Sequence, residues 1–260
     1  MISKMRFVKT IKGSQLVFAL LGVALLGLSG AAMASGSAMQ GSAGNDISDT
    51  ASLQRGVRNY VNYCMGCHSM QYVRYNSVGK GLDLTDEQLI DNLMFAADKV
   101  SDPMRIAMPP KMAEQWFGQA PPDLSLIARS RGADYLYNFL RAFYIDENLS
   151  TGVNNLVLAN ASMPHVLWEL QGTQRAIFEE VEYAPGSTRL EFVGFEQVMP
   201  GTLSPEEYDM FVRDLVNFLD YAGAPEQLER TYIGIWVILF LLVFLLFAFL
   251  LKDEIWKDVK

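Results

Sequence analysis

The chain is 260 residues long and carries 21 basic against 29 acidic side chains, a formal charge of −8. That balance repels the phosphates of nucleic acid and suits a basic partner or plain solubility. The residues able to bind soft metals are scarce, two cysteines and two histidines in all, which limits any site built from thiolates and imidazoles.

The N-terminus reads as an export signal. Lys4, Arg6, Lys9 and Lys12 form a basic head without an acid, the apolar run Leu16–Leu28 follows, and Ala32-Met33-Ala34 places small residues around a cleavage point. An apolar core this short suits a signal better than a membrane span. Residues 1–34 are therefore expected to be removed. Losing their four bases leaves 17 basic against 29 acidic side chains, a charge near −12. Residues 35–50, small, polar and glycine-rich, read as a flexible arm.

From Ala51 the pattern turns helical: Leu53, Val57, Tyr60 and Val61 share one face and deliver the chain to Cys64. Thr85 with Gln88 makes a capping-box pattern ahead of a helix expected over residues 87–100. Proline pairs mark residues 109–125 as loop with short helical turns. Residues 133–144 form a third amphipathic stretch, and residues 144–165 are irregular. "STRLEFVGF", residues 187–195, is the one segment with strand character. Ser204, Pro205 and Glu207 then start a helix whose buried stripe is Tyr208, Phe211, Val212, Leu215, Phe218 and Leu219, ending at Gly223.

Residues 233–251 are 19 positions without a charge, long enough to cross a bilayer, with Tyr232, Trp236 and Trp256 near the two ends. Three lysines in the tail "KDEIWKDVK" mark its cytoplasmic side. About 195 residues lie between signal and span, enough for one domain with its own core. The expected layout is a signal (1–34), an arm (35–50), an exported domain (51–230), a transmembrane helix (231–251) and a cytoplasmic tail (252–260). The domain is mainly α, with long ordered loops and a small β element.

Both cysteines fall in Cys64-Met65-Gly66-Cys67-His68. A structural zinc site needs about four thiolate or imidazole ligands, and beyond this motif the chain offers only His165. A thioredoxin-like pair would want a βαβ context, whereas an amphipathic helix precedes this motif. A disulfide across two residues closes too small a loop to constrain the unfolded chain much. The reading that remains is covalent attachment of one haem c. One helical turn presents both sulfurs to one edge of the ring and His68 to its iron.

Iron with one histidine is either open for ligand chemistry or closed by a sixth ligand for electron transfer. Candidates sit in proline-marked loops: Met108 in "IAMPPKM", Met163 in "NASMPHVL", Met199 in "QVMPG", and His165. Spacing alone leaves Met108 and Met163 level, with His165 behind them.

"RGVRNYVNYCMGCHSMQYVRY", "PPDLSLIARSRGADYLYNFL", the methionine loop and the single C-terminal span resemble the cytochrome c1 family, the haem-c subunits of the cytochrome bc1 complex. The likeness runs from about Leu53 to Lys252, nearly the whole mature chain. CxxCH is generic to c-type cytochromes, whereas "CHSMQYV" with "PPDLSLIARSR" is far more specific. In that family the methionine ligand follows the PPDLS segment, which implies His68 and Met163 as the metal ligands. The resemblance also implies Arg131, with Arg129 as its neighbour, as the base that holds a haem propionate. Tyr135 would line the same side, and Pro121 and Pro122 would wall the ring. The family loop often reads Met-Ala-Pro-Pro where this chain has Met163-Pro164-His165, which leaves His165 as a competitor for iron.

The resemblance implies electron transfer from a Rieske iron–sulfur subunit to a soluble or membrane-bound c-type cytochrome, beside a cytochrome b subunit in the lipid bilayer. The haem domain would face the periplasm of a bacterial inner membrane. No side chain need act as acid, base or nucleophile, since the cofactor carries the redox change. Glu179, Glu180, Glu182, Asp220, Glu226 and Glu229 are candidate acids for steering a basic acceptor. An anchored cytochrome serving another reductase or oxidase is the alternative, and a haem sensor or peroxidase with an open iron is a third.

Overall fold

The computed structural model describes residues 41–184 and 186–258. The expected signal, the first part of the expected arm and the last two residues of the tail lie outside them. Among the described residues there are nine helices and three two-stranded antiparallel sheets.

Two helices form the frame. Helix α1, Thr50–Tyr63, starts where the Asp49 carboxylate accepts the Ser52 N–H at 3.0 Å. It buries Leu53, Val57, Tyr60 and Val61, the face read from the sequence. Helix α8, Pro205–Gly223, starts at a full capping box: the Ser204 hydroxyl accepts the Glu207 N–H, and Glu207 accepts the Ser204 N–H. Its buried stripe is the expected one, with Phe211 only half-buried. The two helices pack at close range through Gly56, where an added Cβ would stand 2.1 Å from the Asp214 carbonyl oxygen and 2.6 Å from the Phe218 Cβ. Asp214 sits at the same crossing, accepting the Ser52 hydroxyl at 2.7 Å and Arg55 Nε at 2.6 Å.

Between them run β1 (Met70–Arg74), α2 (Tyr75–Gly81), α3 (Asp86–Asn92), β2 (Pro103–Met104), α4 (Pro110–Phe117), α5 (Ile127–Arg131) and α6 (Ala133–Arg141). The Thr85–Gln88 capping box forms as read, but α3 ends at Asn92. There Met94 N–H bonds back to Leu89 C=O at 3.0 Å, and Phe95 turns out to solvent. Helix α6 likewise stops three residues short of the expected Tyr144. Its sequel β3, Phe143–Ile145, pairs with β4, Val153–Asn155, as suits two aromatics and an isoleucine.

Two further differences concern the ends of the domain. From Gly41 the expected arm is docked. Gly41 N–H donates to Asn138 Oδ1 at 2.9 Å, Ala43 N–H to Asp134 Oδ1 at 2.7 Å, and Ala43 and Ile47 are buried. Small residues fit there because they let the backbone lie against α6 and α8. The β element is also larger than read. After the short α7, Trp168–Gln171, a hairpin of β5 (Gly172–Ala184) and β6 (Ser187–Pro200) extends over 13 and 14 residues. The first strand carries a weak sequence signal because Glu179, Glu180 and Glu182 interrupt its apolar alternation.

Three residues after α8, helix α9 spans Gln227–Ile255. Its 29 residues reach roughly 44 Å at 1.5 Å each, and none is buried. Length and composition suit a membrane anchor.

Gly56→Ala is expected to destabilise the domain by about 2–3 kcal/mol, because the clash is with backbone and a helix-fixed side chain. The midpoint of thermal unfolding of the purified protein measures this. A second expectation concerns acid. Burial acts upward on the Asp209 carboxyl, but bonds from Tyr137 and Arg213 and the charges of Arg141 and Arg213 outweigh it and hold its pKa below the usual range. Its stabilising contribution is thus full above the unfolded-state pKa of about 4 and fades as pH falls below that. Asp209→Asn should lower the unfolding midpoint at pH 7 and show a smaller difference from wild type at pH 3.

Candidate functional site

The site begins where α1 runs out. Met65 N–H still bonds to Tyr60 C=O, and Cys67 and His68 N–H both return to Cys64 C=O, at 3.1 and 2.9 Å. One tight turn therefore holds Cys64, Cys67 and His68. Tyr60 pins it from below by donating to the His68 carbonyl at 2.7 Å, and Met65 plugs the core beneath.

His68 is oriented from across the fold. Its Nδ1 lies 2.7 Å from the Pro122 carbonyl oxygen. A carbonyl only accepts, so Nδ1 carries the proton and Nε2 keeps its lone pair. Burial lowers the imidazole pKa, opposed in part by the Pro122 bond and by Asp123. A neutral ring with one nitrogen fixed by a backbone carbonyl is what a metal-binding histidine requires. Burial also pushes the Cys64 thiol up to about 12, with Cys67 adding to the rise.

Two adjoining hollows of about 630 and 910 Å³ open over this turn. Cys64, His68, Gln119, Pro122, Ser162 and Met163 line both, and Cys67 and Pro121 line the first. Arg131 and Tyr135 line the second, the guanidinium carbon 5.6 Å from the Tyr135 ring centre. The rest is mostly apolar, including Phe139, Leu140, Leu158 and Leu219.

The structure thus brings together Cys64, Cys67, His68, Met163, Arg131, Tyr135, Pro121 and Pro122. It does not bring Arg129 to them. Arg129 follows the other face of α5 and lays its side chain along α8, where a Cβ on Gly223 would meet its Cγ at 3.1 Å. Met108 lines a separate hollow with Arg105, beyond Cys67 and Pro121. Met199 is exposed on β6. His165 lines neither hollow; it is buried against Phe143, its ring planes 6° apart, and burial lowers its pKa to about 4. Phe139, Gln119 and the Pro122 carbonyl were missed from sequence. Phe139 alone had a signal, one helical turn beyond Tyr135.

Two thiols on one turn, an imidazole with a free Nε2, a thioether across an apolar cavity and a cation at its rim are a donor set that fits haem c. The family comparison agrees. The Cytochrome C1 family model matches residues 44–259. The chain belongs to the cytochrome c1 family. It is 47% identical over 218 residues to cytochrome c1 of Allochromatium vinosum, covering 84% of this chain and 88% of that one. Against the ammonia monooxygenase gamma subunit of Nitrosomonas europaea it is 44% identical, with coverage of 82% and 86%. The Candida albicans protein called cytochrome b-c1 complex catalytic subunit, mitochondrial, is 26% identical, with coverage of 82% and 73%. Membership of this family makes the chain a c-type cytochrome of electron transport and implies a haem c cofactor.

With its pKa raised to about 12 by burial, the Cys64 thiol is almost wholly protonated at pH 8, and the thiolate is the form that reacts. In folded apoprotein, Cys64 should therefore be alkylated by iodoacetamide at least ~100-fold more slowly than in denatured apoprotein. Mass spectrometry of the peptide containing residue 64 over time gives the rate.

Proposed function

We propose that this member of the cytochrome c1 family passes single electrons from a Rieske iron–sulfur protein to a soluble or membrane-bound c-type cytochrome, beside cytochrome b in a quinol:cytochrome c reductase. The observation that carries the proposal is the shared cavity of Cys64, Cys67, His68 and Met163. Cys64 and Cys67 would hold one haem c through thioethers, with His68 Nε2 and the Met163 sulfur as the groups that would bind its iron. When bound, haem c supplies a reversible one-electron couple.

The side chains do the rest. A methionine opposite histidine raises the potential and removes the free coordination position. The apolar lining keeps water from the cavity, which disfavours the more charged oxidised state. Arg131, set over Tyr135, offers a cation for a propionate. The Pro122 carbonyl keeps His68 in one tautomer and orientation. Nothing in the cavity requires a general acid or nucleophile.

Residues 1–34 act as a signal, the haem domain faces the periplasm, and α9 anchors it with its lysine-bearing tail in the cytoplasm. This arrangement is supported by the basic N-terminal head and by the three lysines after the span. The acidic balance of the chain favours a basic acceptor, whose association should slow with salt. The likeness to the Nitrosomonas europaea subunit supports a second reading, in which the same anchored domain serves a different oxidation system.

The two readings separate on one spectrum. A complex isolated through this chain in mild detergent, given quinol as its only reductant, should show haem b and a reduced haem c together. A haem c that quinol leaves oxidised favours the second reading. For the ligand, Met163→Leu should lower the potential and let the reduced protein bind carbon monoxide, whereas Met108→Leu should change neither.

A further inference from the structure

The segment that carries Met163 is fixed at its two ends. At the first, Asn160 adopts a left-handed backbone (φ 58°) and its N–H donates to Asn154 Oδ1 at 2.8 Å. Among the described residues no hydrogen bond then involves Ala161, Ser162, Met163 or Pro164. The next restraint is His165, 7% exposed, whose ring lies parallel to that of Phe143 with 5.0 Å between centres. Phe143 is held on both counts: it belongs to β3, where its backbone pairs with Asn155, and it is 1% exposed.

The run of rings continues to the cavity. Phe143 stands edge-on to Phe139 at 5.2 Å, and Phe139 lies parallel to Tyr135 at 6.2 Å. Phe139 and Tyr135 line the same hollow as Met163. The methionine segment and the α6 wall are therefore joined by packed aromatic faces, which resist sliding far better than an unbonded loop does. We propose that His165 is the positioning residue for Met163: its stack on Phe143 sets where the thioether stands across the cavity from His68. This rests on the reading of Met163 as a ligand. The His165 ring nitrogens face the Gln171 side chain and the Gly172 backbone, but Nε2 makes no hydrogen bond of ordinary geometry, so the positioning falls to the flat ring rather than to its nitrogen. Phenylalanine at 165 should serve as well.

The test uses the full complex in mild detergent, carrying Met163→Leu, His165→Ala, His165→Phe or Phe143→Leu. The readouts are the potential of the c haem and the fraction of reduced protein that binds carbon monoxide. Met163→Leu should bind it fully. His165→Ala should shift the potential down and gain carbon monoxide binding in part of the population, while His165→Phe should match wild type in both. If Met163→Leu stays closed to carbon monoxide, the ligand reading fails and the positioning role falls with it. If Met163→Leu opens but His165→Ala behaves as wild type, the ligand stands and the positioning role is wrong. The positioning role of the flat ring is equally wrong if His165→Phe behaves as His165→Ala. Should His165→Ala fail to accumulate with haem, Phe143→Leu decides, since it removes the facing ring and leaves His165 in place. An unchanged potential with no carbon monoxide binding there overturns the proposal.

Discussion

The hydrogen bond from His68 Nδ1 to the Pro122 carbonyl, 2.7 Å long and spanning 54 residues of sequence, is the constraint on which the site depends. It settles three matters at once: the tautomer, the ring plane, and the approach of the Pro121-Pro122 segment to the end of α1. A proline pair is suited to this duty. Its fixed φ angles hold the acceptor still without support from a helix or strand, and a still acceptor keeps the free Nε2 aimed one way.

Behind that contact the frame is stiff for reasons of close packing. Gly56 lets α1 and α8 approach to a distance that no side chain would permit, and Asp214 gathers Ser52 and Arg55 at the same crossing. Histidine, cysteines and arm are thus bound to the rigid half of the domain. The methionine wall is built otherwise, from loops whose few hydrogen bonds are supplemented by stacked rings.

Local signals in the sequence were reliable guides. Both capping boxes, the stripe of α8, the CxxCH turn and the apolar span are each written within a short run of residues, and each appears where it was read. What distance in sequence hides was not legible. Nothing in the spacing near Met108 or Met163 says which loop shares a cavity with His68; the resemblance implies Met163, and the fold puts Met163 in that cavity and Met108 in a neighbouring hollow beyond Cys67. Arg129 and Arg131 differ by two helical positions, about 200° around α5, so one reaches α8 and the other the cavity. The hairpin was half-read because its acidic residues break the alternation that marks a strand. The fold was legible as helical, and its largest sheet was the part misjudged.

That hairpin has two long open edges, and among the described residues neither is paired with a further strand. Open strand edges invite other chains to add on, although β3 packs beside β5, where Gln174 Nε2 donates to the Phe143 carbonyl and Tyr144 meets Phe178. Here Glu179 stands directly opposite Glu191, and Glu180 and Glu182 follow on the same strand. A second strand laid along β5 would meet these acidic side chains. The acids that interrupt the strand pattern in the sequence thus also charge the ribbon, a feature that disfavours the addition of further strands.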